Sequence, residues 1–267
     1  MGKDVIRLPD IGDSGGRVTV RPAASRDELQ QAFHLVYGSY RQRGYIAPNT
    51  SEVRLSLFNA FPSTVTFVSL LDGDLIATVT LVPDTPVGLP MDDIYHEEVQ
   101  GLRQQGRQLA EVTMLADRRR RLRRALPMLL QMMKSVFDYA TLVLKADDLC
   151  ITINPRHETY YERLLLFEPL GGMKTYPSVR NNPALAKRLD LNAARSRCEG
   201  IPDLIEHFFT NRTPRDRLTS GYRMTCEDLQ YFFAELTELF KTAPPETLRC
   251  LRNAYPDCPW DQWTSGS

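Results

Sequence analysis

No stretch of this sequence approaches the ~18 consecutive apolar residues of a membrane-spanning helix. The opening MGKDVIRLPDIGDSGG has no apolar run of signal-peptide length, so no secretory leader is expected. Residue 6 is Ile6, not the Ser or Thr that would make Gly2 a myristoylation site. Net charge is also lacking: 33 Lys and Arg balance 33 Asp and Glu. No global field therefore draws in nucleic acid or anionic lipid, and any basic site must be local. Cysteine is sparse. The five (Cys150, Cys198, Cys226, Cys250, Cys258) show no zinc spacing, and an odd, scattered set reads as reduced thiols more than as a disulfide framework. Four histidines (His34, His96, His157, His207) form no HxxxH or HxH pair, so no metal site is expected. There is no GxSxG elbow, P-loop or GxGxxG. These absences leave a cytoplasmic protein, with room for peripheral membrane association if its substrate is greasy.

What is present is a chain of 267 residues with an ordinary 42% hydrophobic fraction, enough for one medium domain plus an appendage, or for two small domains. Residues 1–16 read as a flexible lead. VTVRP (Val18–Pro22) is a short strand, followed by a helix from Glu28 to about Arg43, N-capped at Ser25 or Asp27. TVTFVSLL and LIATVTLVP flank Asp72-Gly73-Asp74, a strong hairpin signal. A Pro- and Gly-rich loop leads to a polar helix from Asp92 to about Gln105. LAEVTMLA (Leu109–Ala116) is a buried strand, Ala125–Ala140 a helix, LCITIN (Leu149–Asn154) a strand and Arg156–Leu166 a short helix. The pattern is α/β with a mixed sheet, over residues 17–191. From residue 192 the texture becomes helical: Pro202–Thr210 and Thr225–Lys241, the second capped by Thr225 with Asp228, make an appendage running to residue 267.

Three features could carry chemistry. Glu111 lies in an otherwise apolar strand, where a carboxylate is costly unless paired, hydrogen-bonded or protonated. Alternation places it with Leu109, Thr113 and Leu115, away from Ala110, Val112 and Met114. It is either a general base or the partner of a core arginine. Arg118, Arg119, Arg120, Arg121, Arg123 and Arg124 crowd one turn before a helix, a place suited to phosphate or an acidic protein. The bland alternative is a solvated basic turn; neutral net charge and the lack of interleaved aromatics argue against nucleic acid. The third feature is INPRHETYYERLLLFEP (Ile153–Pro169). Asn154 is a ligand or a helix cap, Tyr161 a proton donor or core edge, and His157 an acid, a base, a ligand or a hydrogen-bonded structural residue.

In order and spacing, YGSYRQRGYI, VTLVPDTPVGLPMDDIY, GRQLAEVTMLA and NPRHETYYERLLLFE together resemble the GNAT-type acyltransferase core. More closely, the chain from about Val18 to Leu191 is similar to the bacterial N-acyl amino acid synthases, with acyl-homoserine-lactone synthases as more distant relatives. The resemblance implies a GNAT-like mixed sheet flanked by helices. It also implies transfer of a long-chain acyl group from the phosphopantetheine thiol of an acyl carrier protein to the α-amine of an amino acid, tyrosine or another hydrophobic one. Pantetheine would lie where the Glu111 and Asn154 strands splay. Backbone N–H groups around Thr113, Met114 and Leu115 would polarise the thioester carbonyl, Glu111 would be the base and Tyr161 would protonate the thiolate. Two departures stand out. The arginine turn lacks the glycines with which such folds cradle coenzyme A's pyrophosphate, favouring an acidic carrier protein over acyl-CoA. The family's usual glycine before the late phenylalanine is Leu166 here. The competing readings are another GNAT-type N-acyltransferase, using acyl-CoA or making a lactone signal, and a non-catalytic acyl-ligand-binding module.

Overall fold

The computed structural model describes residues 17–118 and 122–264. The N-terminal lead and Arg119, Arg120 and Arg121 lie outside the described residues, as do the side chains of Arg123 and Arg124.

Seven strands form one sheet in the order β1-β2-β3-β4-β5-β7-β6. They are β1 (Val18–Pro22), β2 (Val65–Leu71), β3 (Asp74–Pro83), β4 (Leu109–Asp117), β5 (Asp148–Ile153), β6 (Glu168–Tyr176) and β7 (Asn182–Asp190). Only β4 and β5 pair in parallel; every other neighbouring pair is antiparallel. The β2–β3 hairpin turns where sequence expects it, with Asp72 and Gly73 both at positive φ.

Helix α1 (Arg26–Gln42) starts where the Ser25 side chain accepts from the Glu28 N–H. It buries Leu29, Phe33 and Val36 in a cluster with Met114 and Ala116 of β4. Helix α2 (Asp92–Gln104) buries Tyr95, Val99 and Leu102 with Leu109 and Cys150. Helix α3 (Leu122–Tyr139) packs Met133, Val136 and Phe137 against Ala110, Val112 and Ile151. Helix α4 (Glu158–Arg163) follows a 3-10 turn at Pro155–His157, so the helix expected over Arg156–Leu166 is shorter and tighter at its start.

The β6–β7 hairpin has no counterpart in the sequence reading. Pro169, Gly171 and Gly172 blur β6, whose pairing shifts register around Gly171. In β7 the buried residue that breaks the pattern is Lys187, only 1% exposed, whose ammonium meets Glu158 and Glu162 of α4 at 2.7 Å each.

The C-terminal segment is a set of short helices. They are α5 (Ala194–Arg197), α6 (Pro202–Ile205), α7 (Arg215–Thr219), α8 (Cys226–Gln230), α9 (Pro245–Ala254) and α10 (Trp260–Thr264). The capping box of Thr225 and Asp228 forms as expected, but α8 ends after a π-turn at Tyr231–Glu235 and does not reach Lys241. Leu229, Phe232, Phe233, Phe240, Trp260 and Trp263 join the α1 cluster. The thiol reading needs correction: Cys226 and Cys258 form a disulfide, and Cys150, Cys198 and Cys250 remain free. Their separation of 32 residues hides the pair from any spacing rule, because only the folding back of the C-terminal segment brings them together. No helix among the described residues is long and apolar enough to cross a membrane.

Candidate active site

Backbone pairing between β4 and β5 begins at Leu109 and Asp148 and ends at Val112 and Ile151. Both strands continue, to Asp117 and Ile153, without pairing further. The centre of the sheet is therefore split. At the start of the split β4 carries a bulge: Thr80 faces Thr113 and Thr78 faces Ala116, so Met114 and Leu115 together oppose Val79. Met114 takes φ 53°, unusual for a side chain of that bulk. The bulge also resets the alternation expected from sequence. Met114 and Ala116 now face α1, and Leu115 turns to the α3 cluster.

Glu111 sits two residues before Thr113 and is 2% exposed. Among the described residues no arginine pairs with it. Its Oε2 accepts the Met91 N–H at 2.7 Å, at the N-cap of α2. Burial raises its pKa to about 8, partly opposed by the Met91 hydrogen bond and reinforced by the nearby Asp92 and Asp93 charges. A carboxyl poised there suits proton exchange with an amine near neutral pH.

Tyr161 lies on α4 with its ring edge-on to Tyr160 at 5.4 Å and to Phe167 at 5.9 Å. Burial raises its pKa to about 12, so it holds its proton at neutral pH and remains a donor. Its neighbour Tyr160 has a buried hydroxyl without a partner. His157 is more exposed; its Nε2 accepts from Arg156 Nε at 3.0 Å, and its pKa is lowered by partial burial, by Arg156 and by Arg43. That makes it a neutral, hydrogen-bonded ring. Asn154 does what the capping alternative expects: its Oδ1 accepts the Arg156 N–H at 3.2 Å. Of the arginine run, only the Arg118 side chain is described, at the end of β4; its backbone N–H donates to the Ile76 carbonyl. Cys150 is fully buried opposite Glu111, and burial pushes its thiol well above the usual range, which suits a structural residue.

Other residues surround Glu111 that sequence reasoning did not select. Tyr176, on the β6–β7 hairpin, donates to the Pro90 carbonyl at 3.1 Å. Its pKa is raised by burial and then by the Glu111 charge. Tyr40 and Tyr45, at the end of α1 and just beyond it, meet edge-on at 5.7 Å. Arg156 Nη2 donates to the Tyr45 hydroxyl at 2.8 Å. Tyr40 is raised by burial, eased by Arg54 and Arg43, and raised again by Tyr45 and Glu111. YGSYRQRGYI was thus legible as a helix end, but no spacing rule connects it to Glu111.

The profile of the N-acyl amino acid synthase FeeM family matches residues 31–190. The solved structure of FeeM, an N-acyl amino acid synthase from uncultured soil microbes, is 32% identical, with a TM-score of 0.59 over 68% of this chain and 94% of that one. Two lower-identity structures share the fold. The CoA-dependent acyl-homoserine lactone synthase BjaI is 15% identical, with TM-score 0.54 over 81% of this chain and 98% of its own. The acyl-homoserine lactone synthase LasI is 14% identical, with TM-score 0.53 over 75% and 98%. No curated protein sequence matches the chain significantly. The split, bulged sheet with its buried carboxylate is that of a GNAT-like acyltransferase, and the chain belongs to the FeeM family of N-acyl amino acid synthases.

Proposed function

We propose that this enzyme transfers a long-chain acyl group from an acyl carrier protein thioester to the α-amine of a hydrophobic amino acid, with tyrosine the first acceptor to try. The observation that carries the mechanism is the buried Glu111 beside the unpaired stretch of β4 and β5. The acyl-pantetheine arm enters that gap and takes up backbone hydrogen bonds that the two strands leave open. Glu111, directly or through water, accepts a proton from the acceptor's ammonium. The freed amine attacks the thioester carbon. The resulting oxyanion is met by N–H groups of the Thr113, Met114 and Leu115 bulge. As the tetrahedral intermediate collapses, the C–S bond breaks and Tyr161 supplies the proton to the departing thiolate. The second proton shed by the nitrogen passes through water to restore the Tyr161 phenol, leaving amide and free thiol. Asn154 positions the segment that presents Tyr161, by capping it; His157, neutral and tied to Arg156, has a lesser part.

A narrow apolar crevice of about 30 Å³ beside the sheet is where the acyl chain would lodge, its walls parting to take a long one. Met133, Phe137 and Leu149 form its floor, and Leu204, Phe208 and Phe209 of the C-terminal segment close it. Residues 17–191 are then the acyltransferase unit, and residues 192–267 complete its acyl site. The carrier protein docks on Arg118, Arg119, Arg120, Arg121, Arg123 and Arg124, whose density of guanidinium groups matches an acidic helix. Such a donor places the reaction in the cytoplasm.

The test incubates the full chain with acyl carrier protein thioesters of graded chain length and a mixture of amino acids, followed by mass spectrometry of the lipid extract. An acyl-amino acid made by wild type and reduced about 10²- to 10⁴-fold by Glu111→Gln supports the reading. No product above that control sinks it. The same assay with acyl-CoA discriminates the donor: charge reversal at Arg123 and Arg124 should weaken carrier-protein turnover and spare acyl-CoA turnover.

A further inference from the structure

Three guanidinium groups around Tyr40 and Tyr45 have no acidic partner among the described residues: Arg43, Arg54 and Arg156. Other partly buried arginines of the molecule do have one, as Arg21 has Glu28, Arg103 has Asp84 and Asp92, and Arg107 has Asp148. Arg54 is the most constrained of the three. Its Nη2 donates to the Ser178 carbonyl at 3.3 Å, while its Nε is buried with no partner at all. A charge held in that state is costly unless something anionic completes it.

Its position says what could. Ser178 lies two residues beyond Tyr176, whose hydroxyl donates to the Pro90 carbonyl, and the next residue, Met91, gives its N–H to Glu111. These bonds tie the Arg54 loop to the β6–β7 hairpin, the hairpin to the start of α2, and the start of α2 to the base. Arg43 reaches the same place from the end of α1: its charge and that of Arg54 both act on the Tyr40 hydroxyl, as does Glu111. The amino-acid acceptor carries a carboxylate one α-carbon away from its nucleophilic amine. A planar guanidinium is matched to such a carboxylate, and fixing it would aim the amine at Glu111.

We infer that Arg54, assisted by Arg43, binds the α-carboxylate of the acceptor, so that the enzyme selects free α-amino acids over amines and amino esters of the same side chain. This rests on the acyl-transfer reading above and adds to it a specificity site. Arg54 is a binding residue and Arg43 a positioning one; Glu111 keeps the proton chemistry.

The experiment uses the full chain, one acyl thioester donor, and L-tyrosine, L-phenylalanine and L-leucine, each beside its methyl ester and its decarboxylated amine. Wild type should turn over the free acids best. Arg54→Gln should raise the amino-acid KM about tenfold to a hundredfold, the loss expected from one charged hydrogen-bonded contact. The KM for the amines and for the donor should not move, and kcat should fall for the acids, whose aim is lost, but not for the amines. Arg54→Lys keeps the charge without the fork and should fall between. If Arg54→Gln does not fold, Arg54→Lys and Arg43→Gln carry the test, each raising KM for the acids alone. An unchanged preference for the free acid in folded variants overturns the role of Arg54 and leaves the acyltransferase reading intact. A wild type that acylates none of the acceptors overturns both.

Discussion

Glu111 reverses the usual relation between a carboxylate and pH. With its folded pKa raised to about 8, it keeps its proton in the fold while an unfolded chain gives that proton up near the ordinary glutamate value. The unfolded state therefore binds fewer protons between those two values, and this group's contribution to stability falls as pH rises through that window. Glu111→Gln removes the effect. Urea midpoints of variant and wild type should diverge as pH rises from about 5 to 8, in favour of the variant, by an amount on the order of a few kcal/mol. The activity should run the other way: wild-type kcat/KM should climb with pH up to about the same value, where the base becomes ionised. Leu166 offers a second test. It stands where the family usually has glycine, and its φ is 59°, in the left-handed region. Leu166→Gly should relieve about 1–2 kcal/mol of backbone strain. Because Leu166 also packs on the α3 cluster, the net gain in stability should stay under about 1 kcal/mol; a loss would show that packing outweighs strain. At this scale the sequence exposed Glu111 and Tyr161 because a carboxylate in an apolar strand and a paired tyrosine break local patterns. It hid Arg54 and Tyr176, because an arginine in a loop and a tyrosine in a hairpin break none.

Most elements follow directly from short-range chemistry. The caps at Ser25 and Thr225, the Asp72-Gly73 turn and the strand after it are local signals, and the structure honours them. The bulge in β4 is not local. Nothing in LAEVTMLA announces it, since the extra residue is defined only against Val79 on the neighbouring strand. The β6–β7 hairpin was hidden for a similar reason: its glycines serve contacts across the sheet. A methyl group placed on Gly171 would stand 2.7 Å from the ring of Tyr95. That ring is fully buried, and its one hydroxyl proton is shared between the carbonyls of Gly172 and Ala184, both within hydrogen-bond reach. Gly171→Ala should therefore overpack the contact between β6 and α2 and cost about 1–3 kcal/mol. Thermal unfolding of that variant beside Gly172→Ala, where no atom lies within contact range, would isolate the clash from the loss of glycine itself.

For the whole molecule, the C-terminal segment decides whether the rest stays soluble. Phe232 meets Phe33 of α1 edge-on at 5.4 Å, and Phe240, Trp260 and Trp263 stack behind it. Each such side chain returned to water costs about 1.5–3 kcal/mol, so a chain cut after Asn192 should aggregate, as size-exclusion chromatography would show. The Cys226–Cys258 bond ties this segment to itself; Cys258→Ala should lower its stability by about 3–4 kcal/mol on loop entropy alone. Thiol titration of the unfolded, unreduced chain should count three reactive groups, Cys150, Cys198 and Cys250, and five after reduction. The split between β4 and β5 has a further meaning for the molecule as a whole. Two open strand edges are ordinarily an invitation to aggregation, and proteins blunt them with charge, proline or a covering helix. Here they lie in the interior of a seven-stranded sheet and not at its rim. The protein keeps two open edges by holding them away from the rim of the sheet, where an unpaired strand would recruit a second chain.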